Sequence, residues 1–234
     1  MDPRVIVALD FANSKTALEF VARINSDVCK LKIGKELFTA AGPQLVEKLV
    51  NKGFDVFLDL KFHDIPNTVK KAVLSAAQLG VWMLNVHALG GRPMMLAAKE
   101  GIELSSHKAI LIAVTVLTSS SANDLAEIGI PLSPAQMVDK LAVLALDAGM
   151  DGLVCSAQEV AQLRQKFGQS PLLVTPGIRP SGAANDDQHR IMTPVDAIKQ
   201  GSSYLVMGRP VIQHAEPMLI LQDINQQINT LIHT

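Results

Sequence analysis

Hydrophobic and polar positions divide the chain into short apolar runs that alternate with longer amphipathic segments. The runs are rich in β-branched residues, whereas the segments between them repeat hydrophobic residues with a helical period. Eight runs can be counted, at residues 5–9, 28–33, 55–60, 83–88, 109–117, 152–156, 172–176 and 204–208. Such alternation is typical of repeated βα units and predicts an α/β protein with a parallel sheet.

The apolar runs are nearly continuous, as expected of strands that are buried on both faces of a sheet. Eight of them favour a closed (β/α)8 barrel, the TIM barrel, over a sandwich. An open doubly wound sheet would more often carry a glycine-rich turn after the first strand, but that turn is LDFANSK (9–15) and has no glycine. With 48% hydrophobic and 18% charged residues, we expect a single catalytic barrel domain over residues 1–234.

The composition gives no general reason to bind nucleic acid or a membrane. The formal net charge is −1, and no Lys/Arg cluster stands out. No run approaches the ~20 apolar residues of a membrane span, and residues 5–9 are too few for a signal-peptide core. Cys29 and Cys155 lie inside apolar runs, which predicts buried thiols rather than a disulfide or a metal site. We therefore expect a cytoplasmic protein.

Polar residues stand at the carboxyl ends of several predicted strands, where barrels of this type build their active sites. Asp10 follows the first run, Lys32 lies in the second, and Asp59 and Lys61 mark the end of the third. Because Asp59 and Lys61 are two residues apart, we expect both to project to one face. Together with Asp64 these residues alternate in sign, so a mutually paired array could hold them at the barrel mouth.

Three of these polar residues also have a structural alternative. Asp10 and Asp64 could cap the helices that follow them, and Lys32 could extend from its strand toward water. His87 is expected to be a hydrogen-bonded structural histidine rather than a ligand, because the histidines show no metal-ligand spacing. We therefore predict no metal site.

Two further segments belong to the predicted mouth. Gly208 and Arg209 follow the eighth run and precede Pro210, a place where such barrels often bind phosphate. A surface arginine after a turn is the alternative interpretation. The segment 176–192 is polar, rich in small residues and without helical period. We interpret it as a mobile lid over the barrel mouth.

The motifs at these positions resemble the orotidine 5'-phosphate decarboxylase family over nearly the whole chain. The most specific motif is DLKFHDIPNTV at 59–69. Weaker motifs follow in the family's order: VALDF (7–11), KIG (32–34), NVHALGG (85–91), VTVLTS (114–119), TPGIRP (175–180), DDQHR (186–190) and MGRPV (207–211). The resemblance implies conversion of orotidine 5'-monophosphate to uridine 5'-monophosphate and carbon dioxide in pyrimidine nucleotide synthesis, without metal or organic cofactor.

The resemblance also implies roles for individual residues in a homodimer. The catalytic array would be Lys32, Asp59, Lys61 and Asp64, with Lys61 protonating a carbanion at C6 and with Asp64 and Thr68 reaching the partner's site. Asp10 and Lys32 would hold the ribose hydroxyls, and Thr118 would contact the pyrimidine. The phosphate would be bound by Gln188, Gly208 and Arg209, joined by Arg179 through the closing lid.

Three other functions are compatible with parts of the pattern. A sugar-phosphate decarboxylase or synthase of the same superfamily would use a magnesium-stabilised enediolate, but it needs a glutamate at the end of the second strand, where this chain has Lys32. An aldolase would use Lys61 as a Schiff-base amine, which must be neutral, whereas Asp59 and Asp64 favour the charged ammonium. A noncatalytic phosphate-binding barrel would have no use for an exposed pairing of Lys61 with Asp59.

Overall fold

The computed structural model describes residues 2–180 and 192–232. In these residues, eight parallel strands close into a barrel in chain order, so the predicted (β/α)8 barrel is confirmed. The strands overlap the predicted runs, and the second and third extend one or two residues further. They are β1 Val5–Ala8, β2 Lys30–Gly34, β3 Val56–Phe62, β4 Met83–His87, β5 Ile110–Val114, β6 Gly152–Val154, β7 Leu172–Thr175 and β8 Tyr204–Met207.

Helices cover the outside of the barrel and connect its strands. Asn13 and Ser133 cap two of them by accepting hydrogen bonds from backbone N–H groups of the first turn. Within the described ranges, no helix is long and apolar enough to cross a membrane. The helices are α1 Ser14–Val21, α2 Lys35–Ala41, α3 Pro43–Asn51, α4 Pro66–Ala77, α5 Gly91–Leu104, α6 Ala122–Glu127, α7 Pro134–Asp147, α8 Val160–Phe167, α9 Pro194–Gln200, α10 Arg209–Ile212 and α11 Pro217–Ile232.

Alternate residues of each strand point to two separate hydrophobic layers. In β1, Val5 and Val7 pack in the layer between barrel and helices, whereas Ile6 and Ala8 pack inside the barrel. Both layers are apolar, which explains why the runs are continuous in sequence. The buried residues of the inner layer are Ile6, Ala8, Phe57, Met83, Ile112, Val174 and Val206. Cys29 and Cys155 are buried free thiols, as predicted, and burial raises the pKa of Cys29 to about 12.

A buried lysine closes the N-terminal end of the barrel. The Nζ atom of Lys30 lies 2.6 Å from a carboxylate oxygen of Asp2 and 2.6 Å from one of Asp55. It also lies 4.5 Å from the ring centroid of Trp82, within the range of a cation–π interaction. The Tyr204 hydroxyl donates a hydrogen bond to Asp2 at 2.8 Å. This end of the barrel is therefore filled by paired polar groups, as expected of its stabilising face.

Helices α4 and α5 pack unusually close together at Gly101. A Cβ atom at this position would lie 2.5 Å from the backbone oxygen of Lys70 on α4. A side chain of any size would therefore push the two helices apart. This packing holds the middle of α4, at Lys70 and Leu74, against α5.

Candidate active site

A cavity of about 260 Å³ opens at the carboxyl ends of the strands, the face on which barrels of this class carry their chemistry. One wall is charged and includes Asp10, Lys32, Asp59 and Lys61. The opposite wall is largely apolar and comes from later strands and the loops after them, with Val114, Val116, Leu117, Val154 and Ile178 among its residues. The site is thus suited to a ligand with one polar and one apolar side.

The charged wall is a row of alternating sign that crosses three neighbouring strands. The Nζ atom of Lys32 lies 3.6 Å from Asp10 Oδ1 and 3.3 Å from Asp59 Oδ2. The Nζ atom of Lys61 donates a hydrogen bond to Asp59 Oδ1 at 2.5 Å. The side chains of Lys32 and Asp59 are only 12% and 11% exposed. Four of the five residues of the predicted array therefore come together in this chain, and Asp59 contacts both lysines.

Asp59 is held in its ionised form by its neighbours. Burial alone would raise the pKa of this carboxyl, but the charges of Lys32 and Lys61 and the hydrogen bonds from Lys61 and Asn85 outweigh it, so the pKa is lowered. Both carboxylate oxygens face ammonium groups. A fixed negative charge therefore stands next to the free space of the cavity.

The backbone at Lys61 is irregular, which the sequence did not indicate. Between the pairs Leu58–Leu84 and Phe62–Val86, β3 advances four residues while β4 advances two. Lys61 has a φ of 51°, in the left-handed region that non-glycine residues rarely adopt. Asp59 and Lys61 do meet as predicted, but through this bulge rather than through the regular alternation of a strand.

Asn85 is a site residue that the sequence reasoning missed. It lies on β4, is fully buried, and its Oδ1 accepts a hydrogen bond from the backbone N–H of Lys61 at 2.8 Å. Its Nδ2 donates to Asp59 Oδ1 at 2.7 Å. An asparagine inside the apolar run MLNVHA (83–88) was the available signal, because a buried amide requires partners.

The structural alternatives for Asp10 and Lys32 are not observed. Helix α1 is capped by Asn13, whose side chain accepts a hydrogen bond from the backbone of Thr16, so Asp10 is not the cap. Lys32 does not extend into water, because it is paired with Asp10 and Asp59 and is mostly buried.

Asp64 and Thr68 lie apart from the charged row. Residues 63–68 form a continuous exposed stretch, and Ile65 within it is 68% exposed. The Asp64 carboxylate accepts a hydrogen bond from the backbone N–H of Ile65. Ile65 is the N-cap residue of α4, and no side chain caps this helix. Asp64 therefore does not cap α4 in the manner of an N-cap residue, and it does not line the main cavity of its own chain.

The predicted phosphate and pyrimidine residues line the same cavity. These are Thr118, Arg179, Gly208 and Arg209. Gly208 has a close neighbour, since a Cβ atom there would lie 3.3 Å from Asp10 Oδ2. Gln188 lies outside the described residues, as do residues 181–191 of the predicted lid. At the lid's two described ends, the backbone N–H of Arg179 donates to the carbonyl of Met192 at 3.1 Å.

His87 stands beside the charged row and is neutral near pH 7. Burial lowers its pKa to about 4, assisted by the nearby charges of His63, Lys61 and Lys35. Within the described residues its buried Nδ1 has no hydrogen-bond partner, so the predicted hydrogen-bonded histidine is not observed at this atom. In that same part of the chain, no three His, Cys, Asp or Glu side chains come together as a metal site.

Comparison with known proteins points to one family. The sequence profile described as "Orotidine 5'-phosphate decarboxylase / HUMPS family" matches residues 3–224. The orotidine 5'-phosphate decarboxylase of Saccharophagus degradans is 59% identical, over 95% of this chain and 94% of that protein. The one of Hydrogenovibrio crunogenus is 56% identical, over 97% and 96% of the two chains.

A solved structure agrees with these sequence matches. The crystal structure of orotidine 5'-phosphate decarboxylase from Lactobacillus acidophilus superposes with a TM-score of 0.87 at 38% identity. The match covers 97% of this chain and 100% of that one. Fold and sequence similarity therefore extend together over the whole barrel.

Proposed function

The chain belongs to the orotidine 5'-phosphate decarboxylase / HUMPS family, and we propose that its charged row carries out the decarboxylation. The reaction converts orotidine 5'-monophosphate to uridine 5'-monophosphate and carbon dioxide in pyrimidine biosynthesis. The observation that supports this role of the row is the Lys32–Asp59–Lys61 arrangement, with Asp59 bound by both ammonium groups at the cavity wall.

Lys61 is the proposed acid of the reaction. When the bond between C6 and the carboxylate breaks, its electron pair stays on C6 in the plane of the ring, outside the π system. An ammonium group close to C6 stabilises this charge and then transfers a proton from Nζ to C6, after which the neutral amine is reprotonated from water. The position of Lys61 on the cavity wall supports this assignment.

Asp59 is proposed to act on the substrate carboxylate. A carboxylate whose pKa is lowered stays charged at neutral pH, so a second negative group bound beside it is disfavoured. Loss of that group as neutral carbon dioxide relieves the repulsion. Lys32 is proposed to reduce this repulsion and, with Asp10, to bind the ribose hydroxyls; its Nζ atom lies 3.6 Å from Asp10 Oδ1.

The phosphate is proposed to bind on the side of the cavity formed by Arg179, Gly208 and Arg209, with Thr118 on the pyrimidine. Two guanidinium groups suit a dianionic phosphate. Gln188 and closure of the segment 176–192 remain part of this proposal. Binding energy from the remote phosphate can then set the charged row in place, so that it increases turnover as well as affinity.

A homodimer is proposed to complete the site. The exposed stretch 63–68 carries Asp64, Thr68 and a strongly exposed Ile65, a combination suited to burial against a second copy. A second cavity borders the charged row on another side, lined by Gly34 and Glu36 among other residues. The partner subunit's Asp64 would extend the row of alternating charge from there.

The magnesium-dependent alternative is disfavoured by the same geometry. Both oxygens of Asp59 face ammonium groups, at 3.3 Å from Lys32 and 2.5 Å from Lys61. A divalent cation at this carboxylate would have to displace them and stand next to two positive charges.

The proposed function is tested by measuring the ultraviolet spectrum of orotidine 5'-monophosphate over time in the presence of purified protein, with and without a metal chelator. We expect rapid conversion that the chelator does not change, and a loss of at least ~10³-fold in kcat for Lys61→Ala. Lys166→Ala is the matched control, because it removes another Lys–Asp pair, with Asp139 on the surface. Conversion that stops with chelator, or that survives in Lys61→Ala, would count against the proposed mechanism.

A further inference from the structure

The amide of Asn85 forms hydrogen bonds at both ends with the proposed catalytic pair, Lys61 and Asp59. A backbone N–H can only donate and a carboxylate can only accept, so the partners Lys61 N and Asp59 Oδ1 fix which end of the amide faces which. Burying a polar amide costs about 1–3 kcal/mol unless both ends are paired. The side chain therefore has a single favourable orientation between two neighbours on β3.

The first contact holds an unfavourable backbone conformation. Residues outside the common regions of φ and ψ cost about 1–3 kcal/mol and persist only where the surroundings determine them. Lys61 has a φ of 51° inside the bulge of β3, and its N–H donates to the side-chain oxygen of Asn85 on the neighbouring strand β4. The amide thus helps determine the direction in which the Lys61 side chain leaves the backbone.

The second contact acts on Asp59 throughout the proposed reaction. Asp59 Oδ1 receives hydrogen bonds from Lys61 Nζ at 2.5 Å and from Asn85 Nδ2 at 2.7 Å. Once Lys61 has given up its proton, one of these donors loses its charge, whereas the neutral amide donor stays. Asn85 therefore keeps the carboxylate in one orientation in both protonation states of Lys61.

From these contacts we propose that Asn85 is a positioning residue, which sets the geometry between the Lys61 ammonium and the Asp59 carboxylate. Its side-chain amide binds the backbone N–H of Lys61 and the carboxylate of Asp59. The inference deepens the proposed function and rests on it. Misplacement of reacting groups by about 1 Å can cost ~10²-fold in rate. We expect Asn85→Ala to lose about that factor in kcat, with less than a threefold change in KM, because phosphate and ribose contacts come from other residues.

Asn85→Asp provides the sharper test because its outcome depends on pH. In this variant a protonated carboxyl group has an O–H that donates to Asp59 and a carbonyl that accepts from Lys61, as the amide does. When the introduced carboxyl group ionises, two carboxylates lie within hydrogen-bond distance of each other and repel each other. The charged or titratable groups around this position are Asp59 and Lys61 on β3, Lys32 on β2, and His87 on β4 with its neighbour His63; the facing residue on β5 is Ile112.

The measurement is kcat and KM from pH 5 to 9 for the wild type, Asn85→Ala, Asn85→Asp and Asn225→Asp, with far-UV circular dichroism of each. We expect the ratio of Asn85→Asp to wild-type kcat to fall ~10²-fold as pH rises, and the Asn85→Ala ratio to stay low throughout. Asn225→Asp is the control, since Asn225 binds the carbonyl of Val28 at the other end of the barrel, and its kcat should not change.

Each outcome decides between the two proposals. An Asn85→Ala variant with wild-type kcat, or a folded Asn85→Asp variant whose kcat ratio rises with pH, would overturn the positioning role while leaving the decarboxylase intact; with a pH-independent ratio for Asn85→Asp, the Asn85→Ala result decides. If Asn85→Asp does not fold, the Asn85→Ala result decides alone. A folded wild type that leaves orotidine 5'-monophosphate unchanged would overturn the proposed function and this inference together.

Discussion

The surroundings of Lys30 predict that replacing the lysine costs less stability than replacing its two carboxylate partners. The lysine side chain is 2% exposed, whereas those of Asp2 and Asp55 are 57% and 52% exposed. Lys30→Met removes the buried charge, keeps an unbranched apolar stem and leaves two carboxylates that water already reaches. The double change Asp2→Asn with Asp55→Asn leaves a buried ammonium with no anionic partner.

The expected magnitudes follow from these exposures. Uncompensated buried charges cost about 3–5 kcal/mol, and asparagine oxygens can still accept hydrogen bonds from Lys30, so the double variant should lose about 3 kcal/mol. Replacing a buried charge by an apolar side chain of similar size is often neutral, because the cost of burying the charge is removed together with its attraction to the partners. Lys30→Met should therefore lower the free energy of unfolding by only about 1 kcal/mol, chiefly through the lost interaction with Trp82.

Equilibrium unfolding in urea at pH 7 and fixed protein concentration measures both values. Trp82 is the only tryptophan of the chain and lies against Lys30, so its fluorescence reports on this end of the barrel, with circular dichroism as an independent signal. The reasoning would be refuted if Lys30→Met cost as much as the double variant, or if the double variant were as stable as the wild type.

Three further predictions concern the packing of helices, the histidine beside the site and the phosphate. Gly101→Ala should cost about 1–3 kcal/mol in urea unfolding, because the new Cβ would meet the backbone oxygen of Lys70 at 2.5 Å. His87 has a folded-state pKa of about 4, below the ordinary 6.5, so unfolding takes up a proton between these values and stability should fall as pH drops through this window. In His87→Gln the fall should be shallower, and an unchanged profile would exclude the histidine as its source. Arg209→Ala should raise KM and lower kcat, whereas the surface control Arg92→Ala should change neither; normal turnover of Arg209→Ala at saturating substrate would contradict the role of phosphate binding.

Much of the barrel and its charged wall could be predicted because both depend on local pattern. The alternation of apolar runs with amphipathic segments is set by burial, and the carboxyl ends of parallel strands must meet at one face. Asp10, Lys32, Asp59 and Lys61 were therefore expected to converge, and they line one cavity. The same pattern also indicated buried cysteines, which the structure bears out.

The remaining features depend on register between distant segments, which the local pattern does not contain. The bulge at Lys61 arises from the way β3 pairs with β4, and the role of Asn85 follows only from that pairing. Lys30 and Lys32 look alike in the sequence KLK, yet one lies at the N-terminal end of the barrel and the other in the charged wall of the cavity. The proposed contributions of Asp64 and Thr68 would require a second chain, whose contacts no single-chain pattern specifies.

The filled interior of the barrel makes the site a well rather than a channel. Below the charged row lies the apolar layer that includes Phe57 and Met83, and below that the buried Lys30 with its carboxylates. In the part of the chain that the structure describes, a molecule beside Lys61 therefore has no route along the barrel axis and must arrive and depart on the carboxyl-end side of the barrel. Substrate entry and the departure of both products therefore take place on one side of the barrel, the side on which the charged row lies.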